Sequence, residues 1–179
     1  MKLTLAVLIL AAAPAIAADV KVTGGNGTLY LGGRPGRIFV VDEATEKVIG
    51  EIQTKTGTPS RMTLSQDHKR FYMQNIAYED MEIADIASRQ VIDTFRLSEG
   101  NKKVRIFGYG ADPLNRYMIL LTKTATKQSD RYEVGSPTLL QYDLKEHKVM
   151  RTIPWPNGDE REFLGVGFSP DGKLVYFYG

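Results

Sequence analysis

Phe39-Val-Val-Asp-Glu-Ala-Thr-Glu-Lys-Val-Ile-Gly-Glu-Ile52 sets the pattern for the whole chain. An apolar strand ends in Asp, a short polar turn follows, and a second apolar strand completes the unit. Nearly the same order recurs in Glu82–Phe95 and in Leu140–Ile153. Strand-rich repeats of about 40–50 residues are typical of β-propellers. The repeat therefore predicts an all-β fold built from similar sheets.

A second recurring phrase falls between these copies and has the order strand, tight turn, strand. It occurs in Arg61–Met73, Phe107–Ile119 and Val166–Phe177. Ser169-Pro-Asp-Gly172 is its clearest turn, because Pro presets φ and Gly accepts a positive φ. The two phrases together predict blades of four antiparallel strands. Many of these strands are apolar on both faces, which suits a sheet covered by a neighbour on each side.

The chain holds the last three strands of one predicted blade, two complete blades and the first two strands of a fourth. Val40-Val-Asp-Glu-Ala-Thr-Glu-Lys-Val-Ile49 resembles the propeller family with YVTN-type repeats. We predict blade boundaries near residues 56, 102 and 160, and about half of a seven-bladed ring. Two explanations stay open: a longer sequence completes the ring, or partial rings assemble by oligomerisation.

The N-terminus reads as a secretion signal. Met1-Lys2 is a basic start, Leu3–Ala13 is an apolar run too short to span a bilayer, and Ala15-Ile-Ala17 matches a cleavage site. We predict a signal peptide over residues 1–17 and a partial propeller over 18–179. An uncleaved anchor is the alternative. Cleavage predicts a periplasmic or secreted protein with no membrane span.

Composition narrows the classes of function. The chain has no cysteine, so it forms no disulfide and carries no covalent c-type haem. Its net charge is only +2 and it has no run of Lys or Arg, which gives no support to a nucleic-acid partner. No catalytic motif or set of metal-ligand spacings is present. His68 and His147 are expected to be plain surface residues.

The connections between blades and the turns between second and third strands should share one face, where partners usually bind. Thr122–Pro137 is the longest of these turns. It supplies candidate residues for contact with a partner or a substrate: Lys127, Asp130, Arg131, Tyr132 and Glu133. The alternative is a solvated hairpin with internal charge pairs.

Three further residues are candidates outside this insertion. Trp155 lies between two prolines and either contacts a partner or packs between blades. Arg61 and Arg105 begin successive predicted inner strands, so they are candidates for the channel rim, where they either bind an anion or are simply solvated. Asp42, Asp85 and Asp143 recur with the repeat, so turn capping explains them better than catalysis. The sequence offers no catalytic or metal-binding residue.

Part of the third copy is similar to a more specific family. Asp130–Asp143 and Val149–Pro156 resemble the corresponding blade of the β subunit of quinohaemoprotein amine dehydrogenase. The resemblance implies a periplasmic seven-bladed scaffold. It also implies a tryptophylquinone on a small partner subunit, haems on a large one, and no cofactor on this chain.

These observations leave three functional hypotheses. The first is a non-catalytic periplasmic scaffold that binds protein subunits, as in an amine-dehydrogenase-like redox complex. The second is a propeller enzyme of the lactonase or hydrolase type, with its catalytic or metal residues beyond Gly179. The third is a binding module of the cell envelope.

Overall fold

The computed structural model describes residues 25–179, which form fourteen β-strands and one short 3-10 turn, Pro156–Gly158. The predicted signal peptide, residues 1–17, lies outside the described residues. The described part of the chain contains no helix that is long and apolar enough to cross a membrane. The fourteen strands confirm the expected all-β class.

The strands form four antiparallel sheets, A to D, in chain order. Sheet A contains β1 (Thr28–Gly33), β2 (Arg37–Asp42) and β3 (Lys47–Gln53). Sheet B contains β4 (Pro59–Leu64), β5 (Arg70–Asn75), β6 (Asp80–Asp85) and β7 (Gln90–Arg96). Sheet C contains β8 (Lys102–Ala111), β9 (Tyr117–Lys127), β10 (Tyr132–Val134), β11 (Thr138–Asp143) and β12 (Lys148–Ile153). Sheet D contains β13 (Gly165–Phe168) and β14 (Val175–Tyr178).

The four sheets repeat one strand order. Consecutive strands pair in sheets A, B and D, and sheet C follows the same order with β10 added along β9. None of the four closes on itself. The predicted boundaries at 56 and 160 fall in the connections 54–58 and 154–164, while 102 is the first residue of β8.

The periodic aspartates cap turns, as the repeat predicts. The Asp42 carboxylate accepts hydrogen bonds from the amide and hydroxyl of Thr45, at 2.7 and 2.6 Å. Asp85 accepts the same pair from Ser88, both at 2.7 Å. Asp143 accepts two backbone amides, each at 2.8 Å. These hydrogen bonds lower the pKa of all three carboxyls.

Three apolar clusters fill the spaces between successive sheets. Side chains alternate between the two faces of a strand, so β5 and β9 each contribute to two clusters. Phe71 packs toward sheet A, whereas Tyr72 packs toward sheet C. Leu120 packs toward sheet B, whereas Leu121 packs toward sheet D. Burial on both faces explains why these strands are continuously apolar.

The turns before β7 and β12 also join neighbouring sheets. Arg89 and His147 occupy equivalent positions, with φ of 56° and 50°. The Arg89 guanidinium donates a 2.9 Å hydrogen bond to the Ile49 carbonyl of sheet A. His147 Nε2 lies 3.0 Å from the Asp93 carboxylate of sheet B. His147 is exposed, as the sequence predicts, and it also contacts the neighbouring sheet.

Candidate functional site

A cleft of about 590 Å³ opens between the β5–β6 turn of sheet B and strands β8, β9 and β10 of sheet C. Its charged lining consists of Glu79, Lys103, Arg105 and Lys123. Its apolar lining consists of Phe107, Ala125, Tyr132 and Val134. The cleft combines cations with an apolar wall, which is the composition of a binding surface rather than of a buried core.

The Thr122–Pro137 insertion forms one wall of the cleft. Instead of a loop, it continues β9 to Lys127 and returns as β10. The tip is closed by a 2.8 Å hydrogen bond from the Gln128 amide to the Arg131 carbonyl. The β8 segment beginning at Lys102 pairs with the other edge of β9. We call this three-stranded part, residues 102–105, 122–127 and 132–134, the sheet extension.

Strand register decides which side chains share a face of the sheet extension. Arg105 lies opposite Lys123, and Lys103 opposite Ala125. Tyr132 lies opposite Lys127, and Val134 opposite Ala125. Directly opposed residues point to the same face. Four cations therefore lie on one face, which we call the cationic face: Lys103, Arg105, Lys123 and Lys127.

The turn between β5 and β6 supplies the opposite wall. Asn75 organises this turn, because its side-chain carbonyl accepts the amides of Glu79 and Asp80 at 3.2 and 3.3 Å. Tyr78 takes a φ of 63°. Its carbonyl accepts a 2.7 Å hydrogen bond from the Ile106 amide of β8. This bond fixes the turn of sheet B against the start of sheet C.

Phe107, which lines the cleft, contacts two further aromatic side chains. Phe107 sits at an irregularity in the β8–β9 pairing, between Ile106 and Gly108. Its ring stacks on Tyr78 at 6.1 Å and meets Phe163 edge-on at 5.6 Å between centroids. Phe163 is 69% exposed. We call Tyr78, Phe107 and Phe163 the aromatic cluster.

Two carboxylates offset part of the positive charge. Glu79 lies 3.1 Å from the Lys103 ammonium, and Glu162 lies 2.7 Å from that of Lys123. The hydrogen bond from Lys123 lowers the pKa of Glu162. Arg105 has no carboxylate within ion-pair distance among the described residues. Arg105 is therefore a cation of the cleft lining without a carboxylate partner in residues 25–179.

The structure places some of the predicted contact residues of the insertion at the cleft and the others away from it. Tyr132 lines the cleft, and Lys127 shares its face. Asp130 and Arg131 lie at the exposed tip and pair with each other at 3.2 Å. Glu133 points to the opposite face and accepts a 3.3 Å hydrogen bond from Gln128. The tip therefore carries the internal charge pairs of the solvated-hairpin alternative, while its base lines the cleft.

Arg61 and Arg105 do not occupy equivalent positions, although the sequence pairs them as starts of successive strands. Arg61 is the third residue of β4, and its guanidinium lies 5.7 Å from the centre of the Tyr109 ring. The pairing of β4 with β5 is irregular just before Arg61, and the pairing of β8 with β9 is irregular just before Gly108. The residue of β8 that corresponds to Arg61 is therefore Gly108. Only Arg105 lines the cleft. A channel rim stays a prediction for both arginines.

Trp155 packs against the cluster between sheets C and D. Its indole nitrogen donates a 3.1 Å hydrogen bond to the Pro137 carbonyl, at the base of the insertion. Trp155 therefore holds the end of the insertion through Pro137 and is not part of the cleft lining. Packing explains this residue better than partner contact.

Several cleft residues are not evident from the sequence. Lys103 and Lys123 are far apart along the chain and share a face of the sheet only because of the β8–β9 register. Phe163 and Glu162 come from the connection before β13. The alternation Thr122-Lys-Thr-Ala-Thr-Lys127 is the one usable signal, since it is typical of a strand with a cationic face.

The strongest pKa shifts lie away from the cleft. Burial between sheets B and C raises the pKa of Tyr72, Tyr109 and Tyr142 to about 12. In residues 25–179, no three His, Asp or Glu side chains converge as metal ligands. What the cleft offers chemically is charge, aromatic surface and hydrogen-bond donors.

Comparison with known proteins adds no family to these observations. No family model matches the chain, and no curated protein matches it.

Proposed function

We propose that this chain forms part of a β-propeller that serves as a protein-binding scaffold outside the cytoplasm. The repeated strand order, the three clusters between successive sheets and the equivalent turns support this proposal. Each sheet contacts the next through its apolar face, as blades of a propeller do. Location in the periplasm rests on the signal sequence predicted for residues 1–17.

The exposed apolar surface around the cleft is the observation that supports protein binding. Tyr132 and Val134 are 66% and 59% exposed, and Phe163 of the aromatic cluster is 69% exposed. Covering apolar surface contributes about 25 cal/mol for each Å² removed from water, before the costs of association are subtracted. An apolar patch rimmed by charges is typical of a protein interface.

The resemblance to the amine dehydrogenase β subunit supports a more specific version. Its two stretches lie in contact here, since Trp155 of the outer-strand stretch donates to Pro137 of the insertion stretch. They thus form one structural unit beside the cleft. We propose that the partner is a redox subunit of an amine-dehydrogenase-like complex, with quinone and haem carried by the partner subunits.

Co-purification from the native periplasm tests this proposal. The full-length protein should retain a specific partner, and the double substitution Tyr132→Ser with Val134→Ser should release it. Leu114→Ser is the matched control, because Leu114 is 68% exposed in the β8–β9 turn at the opposite end of sheet C. Detection of haem or quinone in the retained partner tests the redox version. A partner retained equally by the double variant would contradict the proposal.

A further inference from the structure

The cationic face contains a repulsive pair that the fold does not need. Arg105 and Lys123 lie directly opposite each other on β8 and β9. Like charges in this arrangement destabilise a sheet by up to about 1 kcal/mol. A neutral side chain in place of Arg105 would remove this repulsion and break no ion pair within residues 25–179. The pair is therefore better explained by what it binds than by what it stabilises.

The available carboxylates do not neutralise this face. The face has four cations, and only two of them have a carboxylate partner among the described residues. Glu79 pairs with Lys103, and Glu162 pairs with Lys123. Within residues 25–179, no carboxylate lies within ion-pair distance of Arg105 or Lys127. The face therefore keeps two unpaired positive charges. A planar guanidinium is also the side chain best suited to hold a carboxylate through two parallel hydrogen bonds.

The spacing of these groups fits an extended chain better than a compact ion. Lys103 and Arg105 are two residues apart on β8, as are Tyr132 and Val134 on β10. Alternate residues of a strand are about 6.6–6.8 Å apart. An extended peptide places its own alternate side chains at the same interval. The side chains on one side of such a peptide would contact Lys103 and Arg105, and those on the other side would contact Tyr132 and Val134.

We infer that the cationic face binds an acidic, extended segment of the partner protein. Its alternate carboxylates pair with Arg105 and the neighbouring lysines, and an apolar side chain covers Tyr132 and Val134. This inference rests on the proposed function, because it describes the segment by which the partner is held. Positive potential at the cleft mouth also favours encounter with an acidic partner.

Peptide titration of the full-length protein tests the inference directly. The probe is acetyl-Glu-Phe-Glu-Val-Glu-amide, and its matched control has Lys in place of each Glu. We expect the acidic peptide to bind and to shift the amide resonances of β8, β9 and β10. Arg105→Gln should weaken binding about tenfold, the effect of losing one charge-assisted interaction. Arg105→Lys should restore part of the affinity.

Lys102→Gln is the matched control variant, because Lys102 lies on the same strand but opposite the neutral Thr126. It removes the same charge and should leave binding unchanged. Equal binding of the Lys peptide, equal loss in Lys102→Gln, or full binding to Arg105→Gln would each overturn the inference. So would stronger binding of a thymidine oligonucleotide than of the acidic peptide.

The native partner separates failure of this inference from failure of the proposed function. If the partner needs Tyr132 and Val134 but binds Arg105→Gln as it binds the wild type, the acidic segment is wrong and the scaffold stands. If no partner depends on Tyr132 and Val134, the scaffold proposal is wrong, whatever the peptide affinity.

Discussion

Replacing Arg105 with Gln should stabilise the folded protein. The substitution removes the like-charge pair with Lys123 on the neighbouring strand while keeping a polar side chain of similar reach. It breaks no ion pair of the described residues, because Arg105 has no carboxylate within ion-pair distance. The only expected loss is packing of the arginine stem beside Phe107.

The magnitude follows from Coulomb's law. Two unit charges about 6 Å apart in water repel by about 0.7 kcal/mol. Cross-strand pairs contribute about 0.2–1 kcal/mol, which agrees with this figure. Glu162 partly offsets the charge of Lys123, so we expect a gain of about 0.5 kcal/mol. For a chain of 179 residues this raises Tm by about 1–2 °C.

Thermal and urea unfolding at low ionic strength measure this gain. The control is Lys102→Gln, which removes one positive charge opposite neutral Thr126. The difference between the two variants should disappear near 1 M salt, where the screening length is about 3 Å. A second test is the double variant of Arg105→Gln with Lys123→Gln, which should gain less than the sum of its parts.

The reasoning is refuted if Arg105→Gln is no more stable than Lys102→Gln at low salt. It is also refuted if the gain persists undiminished at high salt, because the effect would then not be electrostatic. A gain in stability together with weaker binding of the acidic peptide would mark Arg105 as a binding residue that the fold tolerates at a cost.

Three further predictions concern the scaffold. Leu120→Ala should destabilise the protein by about 2–5 kcal/mol in urea unfolding, because Leu120 is fully buried between sheets B and C; a loss below about 1 kcal/mol would contradict this packing. Gly108→Ala should cost about 1–3 kcal/mol, since an added Cβ would lie 2.1 Å from the Leu164 carbonyl oxygen; an unchanged Tm would show that sheet D moves freely. Asp112→Asn should cost about 2 kcal/mol at neutral pH by weakening the 2.8 and 2.9 Å bonds to Arg116. Burial raises the pKa of Asp112, but the hydrogen bonds from Arg116 outweigh it, so the folded pKa is lowered. The wild-type advantage should therefore be complete above the ordinary carboxyl pKa of about 3.9 and should shrink as pH falls through the folded pKa; a constant advantage down to pH 2 would contradict this assignment.

The repeat was sufficient to predict an all-β chain of antiparallel sheets. Asp42, Asp85 and Asp143 recur because each turn needs the same capping acceptor, and that need is local. Strand order follows from equally local signals. Turn residues and alternating apolar residues lie within a few positions of the strands that they define.

The cleft could be predicted only in part, because it depends on register between distant segments. The Thr122–Pro137 insertion marks the right region, yet its length suggests a loop. Backbone pairing with Lys102–Arg105 makes it a strand instead. Arg61 and Arg105 both stand near the start of a predicted inner strand. Because β8 extends further than β4 before the shared irregularity, only Arg105 lies in the sheet extension. Phe163 joins the site through a connection whose path no local pattern indicates.

The unbroken course of β9 affects how fast a complex can form. The strand runs from Tyr117, within the packed part of sheet C, to Lys127 beside the cleft. A flexible loop of similar length would lose conformational entropy on association, about 0.5–1.5 kcal/mol for each side chain that it immobilises. Here the Gly135 amide already donates to the Thr124 carbonyl at 2.9 Å, and the Lys127 amide to the Asn101 carbonyl at 2.9 Å. Association should therefore be a single bimolecular step whose rate is set by encounter, without a slower phase of loop ordering.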